Sequence, residues 1–166
     1  MNPDRTPRGA PQVDELALAP TPTQERLLVE TMIRVNAAAD AVAGVGFAAI
    51  VSDPDDLAAA AGDELARFEL PVVLRRCAVA RAARELRSVT RKPKVARFAA
   101  VLYTDTVQWP APDRARLVTL KGRREVQVAP DRSYGWLRSP LEGRPVSLQR
   151  RGERFVLVAE DRTDEE

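Results

Sequence analysis

The stretch that decides the fold is TPTQERLLVETMIRVNAAADAVA, which occupies residues 21–43. It opens with TPTQ, in which the threonine can cap a helix, the proline suits its first position and the glutamine completes a capping box. Apolar residues then recur at helical spacing: Leu28, Met32, Val35, Ala39 and Val42. We predict a helix that Gly44 and Gly46 end or interrupt, and the run VGFAAIV at residues 45–51 is either a buried strand or a last helical stretch.

Two more helices are expected downstream. The motif SDPDD at residues 52–56 is a second helix start, because its serine or first aspartate can cap and its proline takes the first position. The other aspartates favour the positive end of the helix. This helix should run to about Phe68, and Pro71 then breaks the chain and opens a third helix over about residues 71–91.

Beyond Pro93 the chain changes from alanine-rich to alternating segments that are typical of strands. The predicted strands are Arg97–Tyr103, Arg116–Lys121, Arg124–Val128, Pro145–Arg150 and Arg154–Ala159. Lys121-Gly122 and Arg151-Gly152 mark two hairpins. The sequence therefore predicts an α+β fold, in which an N-terminal helical part of two to three helices packs on a C-terminal antiparallel sheet or small β-barrel.

The predicted organisation is one globular domain with two extensions. Residues 1–20 form a proline-rich extended arm, residues 21–93 the helical part, residues 94–160 the antiparallel β part, and residues 161–166 an acidic tail. The N-terminus lacks the apolar core of a secretory signal. The longest apolar run, residues 37–51, is too short and too polar to span a bilayer. We therefore expect a cytoplasmic protein with no membrane partner.

Charge is sorted along the chain. Residues 1–66 carry 4 basic and 11 acidic side chains, residues 67–154 carry 21 basic and 8 acidic, and residues 155–166 carry 1 basic and 5 acidic. The total of +2 therefore hides a strongly cationic middle. A field of one sign attracts a polyanion or a complementary acidic partner.

Composition argues against most catalytic and cofactor chemistry. The chain has no histidine, the commonest general base, and its single cysteine, Cys77, is expected to be a buried structural thiol. The aspartates of residues 53–56 fit a helix cap better than a cation loop. The GxG at residues 44–46 lacks the third glycine of a dinucleotide site. We therefore expect a non-catalytic protein with no cofactor and no metal.

The third predicted helix carries the best candidate site. Its apolar face is expected to hold Val72, Val79, Ala82, Leu86 and Val89. A second face carries Arg76, Arg84, Arg87 and Arg91, and Lys94 extends the positive charge past the helix end. Such a stripe can track a phosphate backbone or bind an acidic protein surface. The alternative is the solvated face of an amphipathic helix.

Two other regions add cations. The segment at residues 132–138 interleaves arginines with Tyr134 and Trp136, which are candidates for base stacking, although core packing explains them as well. The two predicted hairpins place basic pairs at exposed turns: Arg123 and Arg124 in one, Arg150 and Arg151 in the other. Such turns also serve as ordinary solubilising turns.

These observations favour a non-catalytic binding protein that engages nucleic acid through phosphate contacts. The residues expected to contact the partner are Arg76, Arg84, Arg87, Arg91, Lys94, Arg123, Arg124, Arg150 and Arg151. The alternative is a protein-interaction or assembly subunit, a homo-oligomer or part of a larger complex, in which acidic and basic surfaces meet and the arm ties neighbours together. Both hypotheses require the distant cations to converge on one exposed surface.

Overall fold

The computed structural model describes residues 13–87, 89–103, 107–130 and 137–160. Within these ranges lie four helices and two antiparallel sheets, which confirms the α+β prediction. The elements in chain order are β1 (Glu15–Ala17), α1 (Pro22–Ala49), α2 (Pro54–Ala60), α3 (Gly62–Ala66), α4 (Val72–Leu86), β2 (Val101–Tyr103), β3 (Gln108–Ala111), β4 (Arg114–Thr119), β5 (Gly122–Gln127), β6 (Val146–Arg151) and β7 (Arg154–Ala159). Residues 1–12 of the predicted arm and the tail 161–166 lie outside the described residues.

The predicted capping box opens α1. The Gln24 backbone N–H donates to Thr21 Oγ1 at 3.2 Å, and the Thr21 N–H donates to Gln24 Oε1 at 3.0 Å. The expectation that Gly44 and Gly46 end the helix is wrong, because α1 continues to Ala49. Gly46 is instead a packing residue: a Cβ there would lie 2.7 Å from both Leu86 Cδ1 and the carbonyl oxygen of Val51.

The second predicted helix is divided at Ala61 into α2 and α3. Asp53 Oδ2 accepts the N–H groups of Asp55 and Asp56 at 3.2 Å each, so the capping interpretation of this motif is confirmed. The third predicted helix corresponds to α4, which ends at Leu86 rather than near residue 91.

The apolar face predicted for the third helix is wrong in part. Val72 is 61% exposed and Val89 is 39% exposed. The side chains of α4 that are buried are Leu74, Cys77, Ala78, Val79, Ala82 and Ala83. This buried face is wider than a single stripe because α4 packs against both α1 and β2.

The first sheet has the strand order β1-β7-β6-β2, and the second has the order β3-β4-β5. The two predicted hairpins are present, with positive φ at Gly122 and Gly152. β2 and β3, one outer strand from each sheet, are not paired with each other in the described part of the chain. The barrel alternative is therefore wrong. Neither β1 nor β3 was among the predicted strands.

Residues 17–19 join the two sheets. Leu18 donates its N–H to the Phe155 carbonyl at 2.9 Å in the first sheet and forms a bridge with Val128 beside the second. Ala19 donates to the Gln127 carbonyl at 2.7 Å. The two sheets are thereby held together by backbone hydrogen bonds as well as by the core that they share.

By length and composition, α1 is the one described helix that could cross a membrane. Core helices of soluble proteins meet the same criterion, so this finding alone is weak evidence for a membrane span. In the fold, α1 supplies much of the core: Leu28, Met32, Val35, Val42 and six small or polar residues are buried, mainly against α4.

Candidate binding face at the ends of helices α1 and α4

Three of the predicted contact residues are engaged within the protein itself. Arg84 Nη2 lies 3.3 Å from Glu160 Oε2. Arg151 donates two hydrogen bonds to the Glu15 carboxylate, at 2.8 and 2.7 Å, and this bidentate contact lowers the pKa of Glu15 and raises that of Arg151. The Arg150 guanidinium lies 4.6 Å from the centre of the Phe98 ring, in cation–π contact.

Arg123 and Arg124 lie on the exposed edge of β5. Arg124 Nη1 donates to the Arg123 carbonyl at 2.9 Å. Charged side chains on an edge strand discourage pairing with another chain, so this pair has a structural explanation. The hairpin itself is docked on α1, because the Leu120 N–H donates to Thr31 Oγ1 at 3.2 Å.

A run of cations follows α4 and lies along α1. We call it the cationic strip, defined by Arg87, Arg91, Lys92, Lys94 and Arg97. It lies along the C-terminal half of α1: a Cβ on Gly44 would lie 3.2 Å from Lys92 Cε, Asp40 Oδ1 accepts the Val95 N–H at 2.9 Å, and Asn36 Nδ2 donates to the Arg97 carbonyl at 3.1 Å. These five side chains are exposed, and none is ion-paired with a carboxylate that the structure describes.

The structure does not bring all the predicted cations together. Thr31, which holds the β4–β5 hairpin, and Asn36, which holds the cationic strip, are about 140° apart around α1 at 3.6 residues per turn. Arg76 lies near the other end of α4, where it lines a groove of about 420 Å³ between α2 and α4. Tyr134 and Trp136 lie outside the described residues.

An apolar cleft adjoins the cationic strip. We call it the α1–α4 cleft; it has a volume of about 540 Å³ and is lined by Gly46, Phe47, Ala48, Ile50, Val51, Ser52, Leu86 and Val89. Phe47 and Val89 are 38% and 39% exposed, and Ile50 is 94% exposed. Three apolar side chains are therefore exposed at the cleft.

Ile50 closes α1 in a left-handed conformation, with φ 58° and ψ 47°. This conformation favours glycine and is costly for a β-branched residue. Sequence analysis missed the cleft. The available signal was the run at residues 45–51, which ends a helix on isoleucine and valine where a glycine is usual.

The two walls of the α1–α4 cleft continue into segments of opposite charge. The wall formed by Val51 and Ser52 leads directly into the start of α2, where Asp53, Asp55 and Asp56 are exposed. The opposite wall, formed by Leu86 and Val89, is interleaved with Arg87 and followed by Arg91 and Lys92. In chain order, the apolar lining is thus followed by aspartates after one wall and by cations after the other, and Asp55 itself lines the neighbouring α2–α4 groove.

Among the residues that the structure describes, the titratable carboxylate, thiol and phenol side chains are possible ligand groups. No three carboxylate or thiol side chains come together in a way that could hold a metal ion within the ranges described. Cys77 is buried in α4. Tyr103 is fully enclosed; burial raises the pKa of its hydroxyl, which donates to the Val118 carbonyl at 2.7 Å.

The chain matches no protein-family model. Comparison with curated proteins and with solved structures also finds no similar chain.

Proposed function

We propose that this chain is a non-catalytic protein-interaction or assembly subunit, and that the face built around the α1–α4 cleft is its binding surface. One observation carries the proposal: Phe47, Ile50 and Val89 are exposed together, beside charged side chains. The aliphatic side chains of Ile50 and Val89 gain nothing from a phosphate backbone, whereas apolar side chains are the usual centre of a protein interface with a polar rim.

Internal ion pairs also support this proposal over a general polyanion-binding surface. Arg84 and Arg151 are partly neutralised by Glu160 and Glu15. The β4–β5 hairpin lies on the other flank of α1 from the cationic strip, so it is not placed to extend the same contact. The exposed groups without such internal partners therefore form a compact face that is part apolar and part charged. A cytoplasmic setting remains part of the proposal.

Site-specific photo-crosslinking tests this function. A benzophenone amino acid replaces Ile50 in one variant and Glu153, on the β6–β7 turn, in a matched control. After irradiation in a lysate of the source cells, we expect discrete cross-linked products from position 50. Reversing Arg87 and Arg91 to Glu should remove them. Equal labelling from both positions, or no product from position 50, would contradict the proposal.

Nucleic acid is the second candidate partner, and the cationic strip is the observation that favours it. Its five cations are exposed along one side of α1 without carboxylate partners among the described residues. Phosphate contacts would make affinity fall steeply with salt. This candidate requires only the strip and makes no use of the apolar cleft.

Fluorescence anisotropy with random single- and double-stranded oligonucleotides at two salt concentrations tests the second candidate. If the strip contacts phosphate, Arg91→Ala with Lys94→Ala should reduce the slope of log affinity against log salt by about 2. The matched control is Arg123→Ala with Arg124→Ala, which removes the same charge from the other flank of α1. Equal effects of both pairs would indicate non-specific attraction, and no binding at low salt would exclude this partner.

A further inference from the structure

The α1–α4 cleft displays an isoleucine where the backbone favours glycine. Ile50 combines a left-handed backbone with 94% exposure, so within the monomer its side chain gains little burial in return for the backbone strain. Strained exposed residues concentrate at binding sites, where the strain is offset on contact with a partner. Ile50 is therefore the expected centre of a contact.

The charges that follow the two walls of the cleft indicate which kind of partner it can bind. Asp53 directly follows Ser52 of one wall, with Asp55 and Asp56 in the first turn of α2, and Arg87 and Arg91 flank the other wall in sequence. An acidic peptide would meet repulsion on the first side, and so would a phosphate backbone. A surface that carries both signs about an apolar centre is complementary to itself when it is rotated by a half-turn.

We propose that the occupant of the α1–α4 cleft is the same cleft of a second copy of this chain, in an isologous two-fold dimer. Ile50 of each copy packs into the apolar centre of the other, and the acidic wall of one copy faces the basic wall of its mate. This inference rests on the proposed function, because it gives a particular occupant to the same face.

The first test separates binding from stability at one residue. Ile50→Gly relieves the left-handed strain and deletes the apolar contact. At a concentration where the wild type is monomeric, its thermal midpoint should rise by about 2–4 °C. In sedimentation velocity, its dimer dissociation constant should rise roughly 100-fold. The matched control is Leu137→Ala, at an equally exposed apolar residue between β5 and β6 that does not line the cleft, which should leave association unchanged.

The second test uses charge reversal in two variants. Arg87→Glu with Arg91→Glu makes both walls acidic, and Asp55→Lys with Asp56→Lys makes both walls basic. Each variant alone should be monomeric, because like charges then face each other across the two-fold axis. An equimolar mixture should recover a dimer, because every facing pair is again opposite in sign. High salt should weaken both the wild-type and the mixed dimer.

The outcomes distinguish this inference from the proposed function. A wild-type chain that stays monomeric at high concentration, or a variant mixture that fails to associate, overturns the isologous dimer. If position 50 nevertheless cross-links a different protein in the lysate, the binding face stands and only its occupant changes. If the chain forms no dimer but binds phosphatidylserine-containing vesicles, and Ile50→Gly abolishes that binding, both the protein-interaction function and the isologous dimer are overturned. The face would then be assigned to a membrane surface.

Discussion

At the scale of single residues, Tyr103 shows how a polar group is accommodated in this core. Its ring is fully buried, and its hydroxyl reaches across to the Val118 carbonyl of the second sheet. Tyrosine at this position was expected to be part of a strand, but nothing in the sequence indicated a hydrogen bond to another sheet. The contact depends on a pairing of elements that only the fold determines.

Tyr103→Phe should lower the free energy of unfolding by about 1 kcal/mol, because the Val118 carbonyl loses a donor in a buried setting. The pH dependence should also change. Folding raises the pKa of Tyr103. Its contribution to the free energy of unfolding is therefore fully present below about pH 10 and is lost as the tyrosine of the unfolded chain ionises above that value. Denaturant unfolding between neutral and alkaline pH checks this, and an unchanged alkaline slope in the variant would contradict it.

The pair of Glu15 and Arg151 gives the opposite pH dependence. Hydrogen bonding to Arg151 lowers the pKa of the Glu15 carboxyl in the folded state. Its contribution to stability is therefore present above the ordinary pKa of a glutamate and is lost as pH falls through the lowered value. Arg151→Gln should return the Glu15 pKa to its ordinary range in a carbon-detected NMR titration. Because the pair is exposed, only a small change in stability should accompany it.

At the scale of elements, local chemistry predicted where helices begin better than where they end. The caps at Thr21 and Asp53 were identified because a cap involves residues within one turn. The end of α1 was misplaced because Gly46 serves contacts with Leu57 and Leu86, which are distant in sequence. β1 was missed for the same reason, since its three residues form a strand only by pairing with β7.

Two glycines of α1 should respond in opposite ways to alanine. Gly44→Ala should raise the free energy of unfolding by about 0.5–1 kcal/mol, because the new Cβ meets only the flexible end of Lys92. Gly46→Ala should lower it by about 1–3 kcal/mol, because the Cβ would approach the Val51 carbonyl and Leu86 at 2.7 Å. Urea unfolding followed by circular dichroism measures both. Equal effects at the two positions would refute this account of close packing.

At the scale of the whole molecule, folding pairs some of the charges that are separated along the chain. Asp14 and Glu15, from the acidic first part, pair with Arg144 and Arg151, from the basic second part. Sequence analysis identified the excess of cations but not which of them stay exposed, because ion pairs between distant segments depend on sheet order. The positive charge of Arg87, Arg91 and Lys94 was recognised in the sequence, whereas the α1–α4 cleft was not.

The junction formed by residues 17–19 should make the two sheets unfold together. Leu18→Ala removes a side chain that is buried where the sheets meet, and should lower the free energy of unfolding by about 3 kcal/mol. Hydrogen exchange measured by mass spectrometry should show equal loss of protection in peptides from β5 and from β7. Loss confined to one of these peptides would show that the sheets open independently.

The antiparallel register of β1 also constrains how the protein is made. Glu15 pairs with Val158, so the two partners leave the ribosome roughly 140 residues apart, a delay of about ten seconds at ordinary rates of synthesis. During that interval β1 has no partner strand, while the residues of all four helices have already been synthesised. A nascent chain stalled before β7 should therefore carry a formed helical subdomain and an unsatisfied strand, the species on which a chaperone would act.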